Sequence, residues 1–255
     1  MSQEQEKFES RFRFRSFGFK HFGVERERFL VDTQNGLLAP RAREFLCAIQ
    51  DFRWTYELSA CQVEDRTRPT DFWPKIYYEM LLNDMRGKKI ADKLGLRLEP
   101  LAVGPENMPP DIYPVKRYIE ITETVSQEKL AAARRVAGVH IHVSFPSLDC
   151  AIKYYNIFRN YFDHLCALGD HSGGERLRLY KVMAENWHTP LIKDKEHFFS
   201  LAKEQGFAED PRKCYWLIRL SPHGTIEFRM FDIADRHKIM GYIWEIVRIM
   251  RAEIL

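Results

Sequence analysis

Four short stretches of this chain carry charged or polar side chains at every second position. They are Glu25 and Glu27, Gln62 and Glu64, His140 and His142, and Glu227 and Arg229. In an extended strand, residues two apart leave the same face, roughly 6–7 Å from one another. The alternate positions are apolar at Val24, Val63, Val139, Ile141, Val143, Ile226 and Phe228. Such segments satisfy both faces when they pair into one sheet. One side then packs against the rest of the protein. The other displays carboxylates, imidazoles and an arginine, joined by Glu57, seven residues before Glu64.

Each pattern is ordinary in isolation: a lone ExE is usually a solvated face, a lone HxH is often surface or filler, and ExR is a common neighbouring ion pair. Their conjunction has a different consequence. Carboxylates gathered on one face repel one another, and proton uptake would relieve this only with strongly raised pKa values. Divalent cations relieve it directly. A donor set of mostly carboxylate oxygen with limited histidine suits Mg²⁺ or Mn²⁺ better than Zn²⁺. Hard metals of this kind commonly bridge phosphate oxygens during phosphoryl transfer. An arginine on the same face fits stabilisation of an anionic intermediate. The chain has no GxxxxGK[ST] loop and no GxGxxG after a strand. ATP is therefore expected on metal and sheet rather than in a glycine cradle.

The remaining pattern predicts an α+β protein, a curved antiparallel sheet with helices on one face. Helices are expected over residues 40–51, 74–94, 127–136, 148–168, 196–205 and from 235 onwards. Residues 56–64 read as one extended stretch. Residues 138–145 read as a strand, and 215–220 and 225–231 as two strands joined by Ser221-Pro222-His223-Gly224. Residues 104–114 hold four prolines and read as a loop. The opening Arg11-Phe12-Arg13-Phe14-Arg15, with Phe17 and Phe19, alternates polar and aromatic. It predicts an edge strand, with a basic arm touching phosphate or a partner as the alternative. No linker divides residues 1–255, so one catalytic domain is expected, with its motifs between 23 and 232.

A net charge of +3 over 255 residues makes no case for a nucleic-acid binder. There is no apolar run of about 18 residues, so no membrane span is expected. The first twenty residues lack the basic stub and apolar core of a secretory signal. The five cysteines are widely spaced without a CxxC pair. That argues against a disulfide framework and fits a reducing cytoplasm. Homo-oligomerisation is left open.

Gly23-Val24-Glu25-Arg26-Glu27-Arg28-Phe29 resembles the opening G-x-E-x-E strand of the glutamate–cysteine ligase type 2 group, part of the carboxylate–amine ligase superfamily with the glutamine synthetase catalytic fold. Glu57-Leu58, then Gln62-Val63-Glu64 and Thr67, is similar to that group's second acidic stretch. Residues 137–143 look like its G-x-H-x-H-V strand. Residues 224–232 look like its G-T-x-E-x-R-x-x-D strand. Arg117-Tyr118 resembles an Arg-Tyr pair lying between the acidic stretch and the histidine strand.

The resemblance implies phosphorylation of a substrate carboxylate by ATP, often the γ-carboxylate of glutamate, then attack by an amine. Glu27, Glu57 and Glu64 would hold one metal, and Glu25, His140 and Glu227 another. Glu25, Glu27, Glu64 and Glu227 would carry the nucleotide through those ions. Arg229 would steady the acyl phosphate, with Arg117 assisting or holding substrate. Gln62 and His142 would face substrate. Residues 171–178 loosely resemble a substrate-binding stretch, which implies Arg176 or Arg178 as a carboxylate ligand. Small amino-acid substrates are the expected partners. A guanidino phosphotransferase, a metal-dependent hydrolase and a non-catalytic binding relative are the competing readings.

Overall fold

The computed structural model describes residues 3–14 and 20–252. In chain order the elements begin with α1 (Gln3–Glu9), β1 (Phe22–Asp32), α2 (Ala42–Ile49), β2 (Trp54–Tyr56), β3 (Gln62–Arg66), α3 (Trp73–Lys93), β4 (Leu96–Glu99), α4 (Lys116–Thr124) and α5 (Gln127–Arg135). They continue with β5 (Gly138–Ser144), α6 (Leu148–Asn160), α7 (Phe162–Gly169), α8 (Glu175–Met183), α9 (Lys195–Glu204), β6 (Ile218–Ser221), β7 (Thr225–Asp232) and α10 (Arg236–Ala252). The class is α+β.

All strand pairings are antiparallel, in the order β2-β3-β1-β5-β7-β6, with β4 paired to the end of β1. The four sequence patterns thus occupy the adjacent strands β3, β1, β5 and β7. Val24, Val139, Ile141, Val143, Ile226 and Phe228 are all buried in one cluster with Ile239, Ile243 and Ile246 of α10 and Phe158 of α6. Period-two burial on the sheet therefore meets period-3.6 burial on the helices.

The packed face is not wholly apolar. Arg26 and Arg28 alternate with Glu25 and Glu27 and so leave the opposite side of β1. They close on Asp65, whose neighbour Glu64 faces the other way. Arg26 lies 2.8 Å from Asp65 and 2.9 Å from Asp84, and Asn83 donates to Asp65 at 2.9 Å. Arg236 of α10 also pairs with Asp84. Burial alone pushes the Asp65 carboxyl up, but Arg26 and Arg28 hold it below the usual carboxylate range. This network ties α3 and α10 to the reverse side of the functional strands.

Several expectations change. Residues 56–64 are two strands separated by a loop at 57–61. The helix at 148–168 breaks at Tyr161, which caps α6 and opens α7. An apolar stripe runs through so short a break undisturbed. Strand β4 and helices α1, α4 and α8 add to the sequence reading. Among residues 11–14 there is no strand; Phe12 packs on Phe8 and Phe198 instead, with centroids 5.2 and 5.5 Å away. Arg15, Phe17 and Phe19 of the expected strand lie outside the described residues. Among the described residues no helix is long and apolar enough to cross a membrane.

Candidate active site

Register explains how the charged face assembles. Glu27 sits opposite Glu64, Glu25 opposite His140, and His142 opposite Glu227. The β5–β7 pairing slips between Val139 and Ile141, which face Phe231 and Phe228. Arg229 and Met230 thus oppose the single residue His140. Such irregularities re-aim side chains. On its other side β7 stays in register with β6, and the Arg229 amide donates to the Leu217 carbonyl at 2.8 Å as that ladder continues.

Among the described residues three donor groups result: Glu27 with Glu57 and Glu64; Glu25 with Glu64 and His140; and Glu25 with His142 and Glu227. Within each, the donor atoms lie within 4.8 Å of one another. The first coincides with the set implied by the resemblance. In the set containing Glu25 and Glu227, the geometry groups His142 where the resemblance put His140. His140 stays close, with Nδ1 3.5 Å from Glu25 and 3.9 Å from Glu227.

The electrostatics are uneven across this face. Burial, reinforced by Glu27, pushes Glu57 up to about 8. Burial, then Glu25 and Glu57, pushes Glu64 well above its ordinary value. The cluster thus carries more negative charge than its surroundings neutralise. At the other end burial opposes ionisation of Glu227, yet Arg219 and Arg229 hold its carboxyl far down. Arg219 Nε donates to Oε2 at 2.7 Å, and Arg229 Nη1 donates to Oε1 at 2.5 Å. Arg229 Nε donates to the Tyr180 hydroxyl at 3.1 Å, and that hydroxyl donates to the Tyr215 carbonyl.

His142 Nδ1 lies 2.8 Å from the Thr225 hydroxyl. Its buried Nε2 has no hydrogen-bond partner among the described residues and lies 3.3 Å from Glu25. A fixed Nδ1 and a free Nε2 beside carboxylates suit a metal ligand. The oxygen-rich donors, the under-neutralised acids and this orphaned nitrogen together fit a divalent cation.

Around them lies a cavity of about 1420 Å³, large enough for a nucleotide and a second substrate. Gln62 lines it while donating to the Val136 carbonyl at 2.8 Å, which ties β3 to the entry of β5. Arg117 lines it from α4 and is exposed.

Arg176 lines it too, fully buried, with Nη2 donating to the Arg229 carbonyl at 3.1 Å. Its Nε and Nη1 are buried without a hydrogen-bond partner among the described residues. Arg178 lies outside the cavity and pairs with Glu175 on the exposed side of α8, so the two candidate arginines separate. Asp232 explains how Arg176 is placed. Its Oδ2 accepts from the His171 and Ser172 amides at 2.9 and 2.8 Å, which fixes the turn that starts α8.

Arg219, Tyr180 and Thr225 were missed by the sequence reading. Arg219 pairs with Glu227 across the β6–β7 hairpin, and strand register was the one signal that could have found it.

A family model described as glutamate-cysteine ligase family 2 (GCS2) matches residues 21–254. A protein of Rhodococcus jostii (strain RHA1), named "Putative glutamate--cysteine ligase 2-1", is 29% identical over 231 residues, covering 83% of this chain and 62% of that protein. Another from Mycolicibacterium smegmatis, "Putative glutamate--cysteine ligase 2-3", is 30% identical over 235 residues with the same coverage. The chain thus spans about three fifths of the length of these relatives. The crystal structure of a bifunctional glutathione synthetase from Pasteurella multocida shares the fold, with a TM-score of 0.55 and 14% identity over 96% of this chain and 39% of that one.

Proposed function

The chain belongs to glutamate–cysteine ligase family 2, and we propose that it is an ATP-dependent carboxylate–amine ligase that forms an amide, γ-glutamyl in kind, through an acyl phosphate. The observation that carries this is the gathering of Glu25, Glu27, Glu57, Glu64, His142 and Glu227 on one face, with Arg229 bonded to Glu227. In this reading residues 23–232 work as one catalytic unit.

Glu27, Glu57 and Glu64 would hold one Mg²⁺ or Mn²⁺, and Glu25, His142 and Glu227 a second. Bound there, the ions supply positive charge to phosphate oxygens during transfer. A substrate carboxylate oxygen attacks the γ-phosphorus of ATP, and ADP leaves. An amine then attacks the acyl carbon, inorganic phosphate leaves, and the amine gives up a proton.

The chain's own groups orient and stabilise these species. Arg229 is clamped by Glu227 and Tyr180, so it is preorganised for the anionic oxygens of the acyl phosphate. Arg176 has two unpartnered nitrogens in a buried position, a costly arrangement that a bidentate carboxylate relieves. It is assigned to the carboxylate of the amino-acid substrate that does not react. Arg117, at the rim on α4, is assigned to substrate capture.

The test is a coupled assay of ADP release with Mg²⁺, glutamate and a panel of amines. ADP release that requires both acid and amine supports the ligase. Release with a guanidino acceptor alone would mark a phosphotransferase instead.

A further inference from the structure

The basic, aromatic N-terminal stretch precedes the matched residues 21–254 and plays no part in the proposed chemistry. It nevertheless reaches the same cavity, since Arg11 and Arg13 both line it. Two features hold it there. Phe8 and Phe12 are buried against Phe198 of α9. The Arg13 amide donates to the Pro222 carbonyl at 2.9 Å, in the turn between β6 and β7. That turn requires glycine at 224. Its φ is +73°, and a Cβ there would overlap the Arg13 carbonyl. The arm is thus seated on the hairpin that carries Arg219 and Glu227.

Its position relative to the acids follows. Arg13 is bonded to Pro222, next in sequence to His223, which also lines the cavity. The His223 ring lies 6.2 Å from that of His142, which faces Glu25 and Glu227. Arg13 therefore stands at the Glu25–His142–Glu227 end of the floor. Its side chain is exposed and, among the described residues, has no acidic partner. Arg11 pairs with the exposed Glu209 at 2.8 Å, and its Nε is buried without a hydrogen-bond partner among the described residues.

We propose that Arg13, backed by Arg11, forms a polyphosphate subsite at the mouth of the cavity, contributed by a segment that precedes the family region. This rests on the ligase reading, because it extends the nucleotide's site in that reading. Cations on Glu25, His142 and Glu227 would hold a phosphate chain at this end of the floor, and the arm's guanidinium groups would offer its outer oxygens bidentate hydrogen bonds.

The test is calorimetric titration of the full chain with inorganic tripolyphosphate in Mg²⁺, and separately with glutamate. Compared are the wild type, Arg13→Ala, Arg13→Lys and the Arg11→Ala/Arg13→Ala double variant. Arg13→Ala should weaken tripolyphosphate about tenfold or more, as for loss of a hydrogen bond to a charged group, and the double variant further. Arg13→Lys should recover part of the loss, and glutamate binding should not change. Because the Arg13 side chain is exposed, the melting temperature should stay that of the wild type. Tripolyphosphate binding equal to the wild type, no binding to the wild type, or an equal or greater loss for glutamate would each overturn the subsite. The ligase reading fails separately, through absence of ADP release with every acid and amine.

Discussion

The guanidinium of Arg176 lies directly over the backbone of Gly138, where a Cβ would overlap its Nη2, Cζ and Nε atoms. The same residue's amide donates to Glu27 Oε2 at 2.6 Å. A single position without a side chain thus admits the buried Arg176 guanidinium on one side and anchors a carboxylate of the acidic cluster on the other.

Gly138→Ala should therefore do more than remove backbone freedom. Overpacking costs on the order of 1–3 kcal/mol, so the melting temperature should fall. Displacement of Arg176 should raise the KM for the acid substrate more than that for ATP. Thermal unfolding and steady-state kinetics measure both, and an unchanged KM for the acid would separate Arg176 from substrate.

Glu27→Gln and Glu227→Gln should each abolish ATP turnover while circular dichroism remains that of the wild type. Near-normal turnover in both would remove these residues from the site. Arg229→Ala should slow turnover by roughly 10²–10³-fold, the cost of losing one anion-stabilising donor.

The acidic cluster makes stability depend on pH once metal is chelated. Burial and Glu27 raise Glu57 to about 8 from an ordinary 4.5. The folded state therefore holds this proton more tightly than the unfolded chain. That contribution is complete below pH ~4.5 and is lost as the pH rises to about 8. With EDTA present, the melting temperature should fall across this window. Adding Mg²⁺ or Mn²⁺ at pH 8 should restore it, by about 2.7 kcal/mol at a hundred times the Kd. Glu57→Gln should flatten the pH profile in EDTA. A chelated wild type whose stability does not change over that window would contradict the assignment.

On the opposite face, Asp65→Asn strips two buried arginines of their shared carboxylate. Breaking a buried charge network from one side costs about 3–5 kcal/mol. Urea denaturation should register a loss of that order. A loss below about 1 kcal/mol would mean that Arg26 and Arg28 are served by Asp84 alone.

Much of this arrangement is legible in residue spacing. Period-two patterns place Glu25 with Glu27, Gln62 with Glu64 and Glu227 with Arg229 on common faces, because strand geometry is local and repeats every two residues. The same rule sets Arg26, Arg28 and Asp65 on the reverse face, although spacing alone does not reveal that they meet. The histidines mark the limit. Spacing puts His140 and His142 on one face, but only the β5–β7 register sets His142 opposite Glu227 and brings both imidazoles within 4.0 Å of Glu25 and Glu227. Likewise Arg176 and Arg178 are two apart, and sequence alone does not say which is buried. Both lie on α8, where residues two apart leave nearly opposite sides, and the way the helix is set, with Asp232 holding its leading turn, sends Arg176 into the cavity and Arg178 out to Glu175.

By itself, then, the sequence determined which side chains share a face and what chemistry a face of that composition supports. Tertiary structure decided which strands became neighbours, which donors converged, and that the N-terminal arm came to rest on the hairpin that carries Glu227. The reason is one of range. Backbone periodicity depends on adjacent residues, whereas register, bulges and the seating of Arg13 on the 222–224 turn depend on contacts between segments distant in the chain, from Glu27 with Glu64 to Arg13 with Pro222.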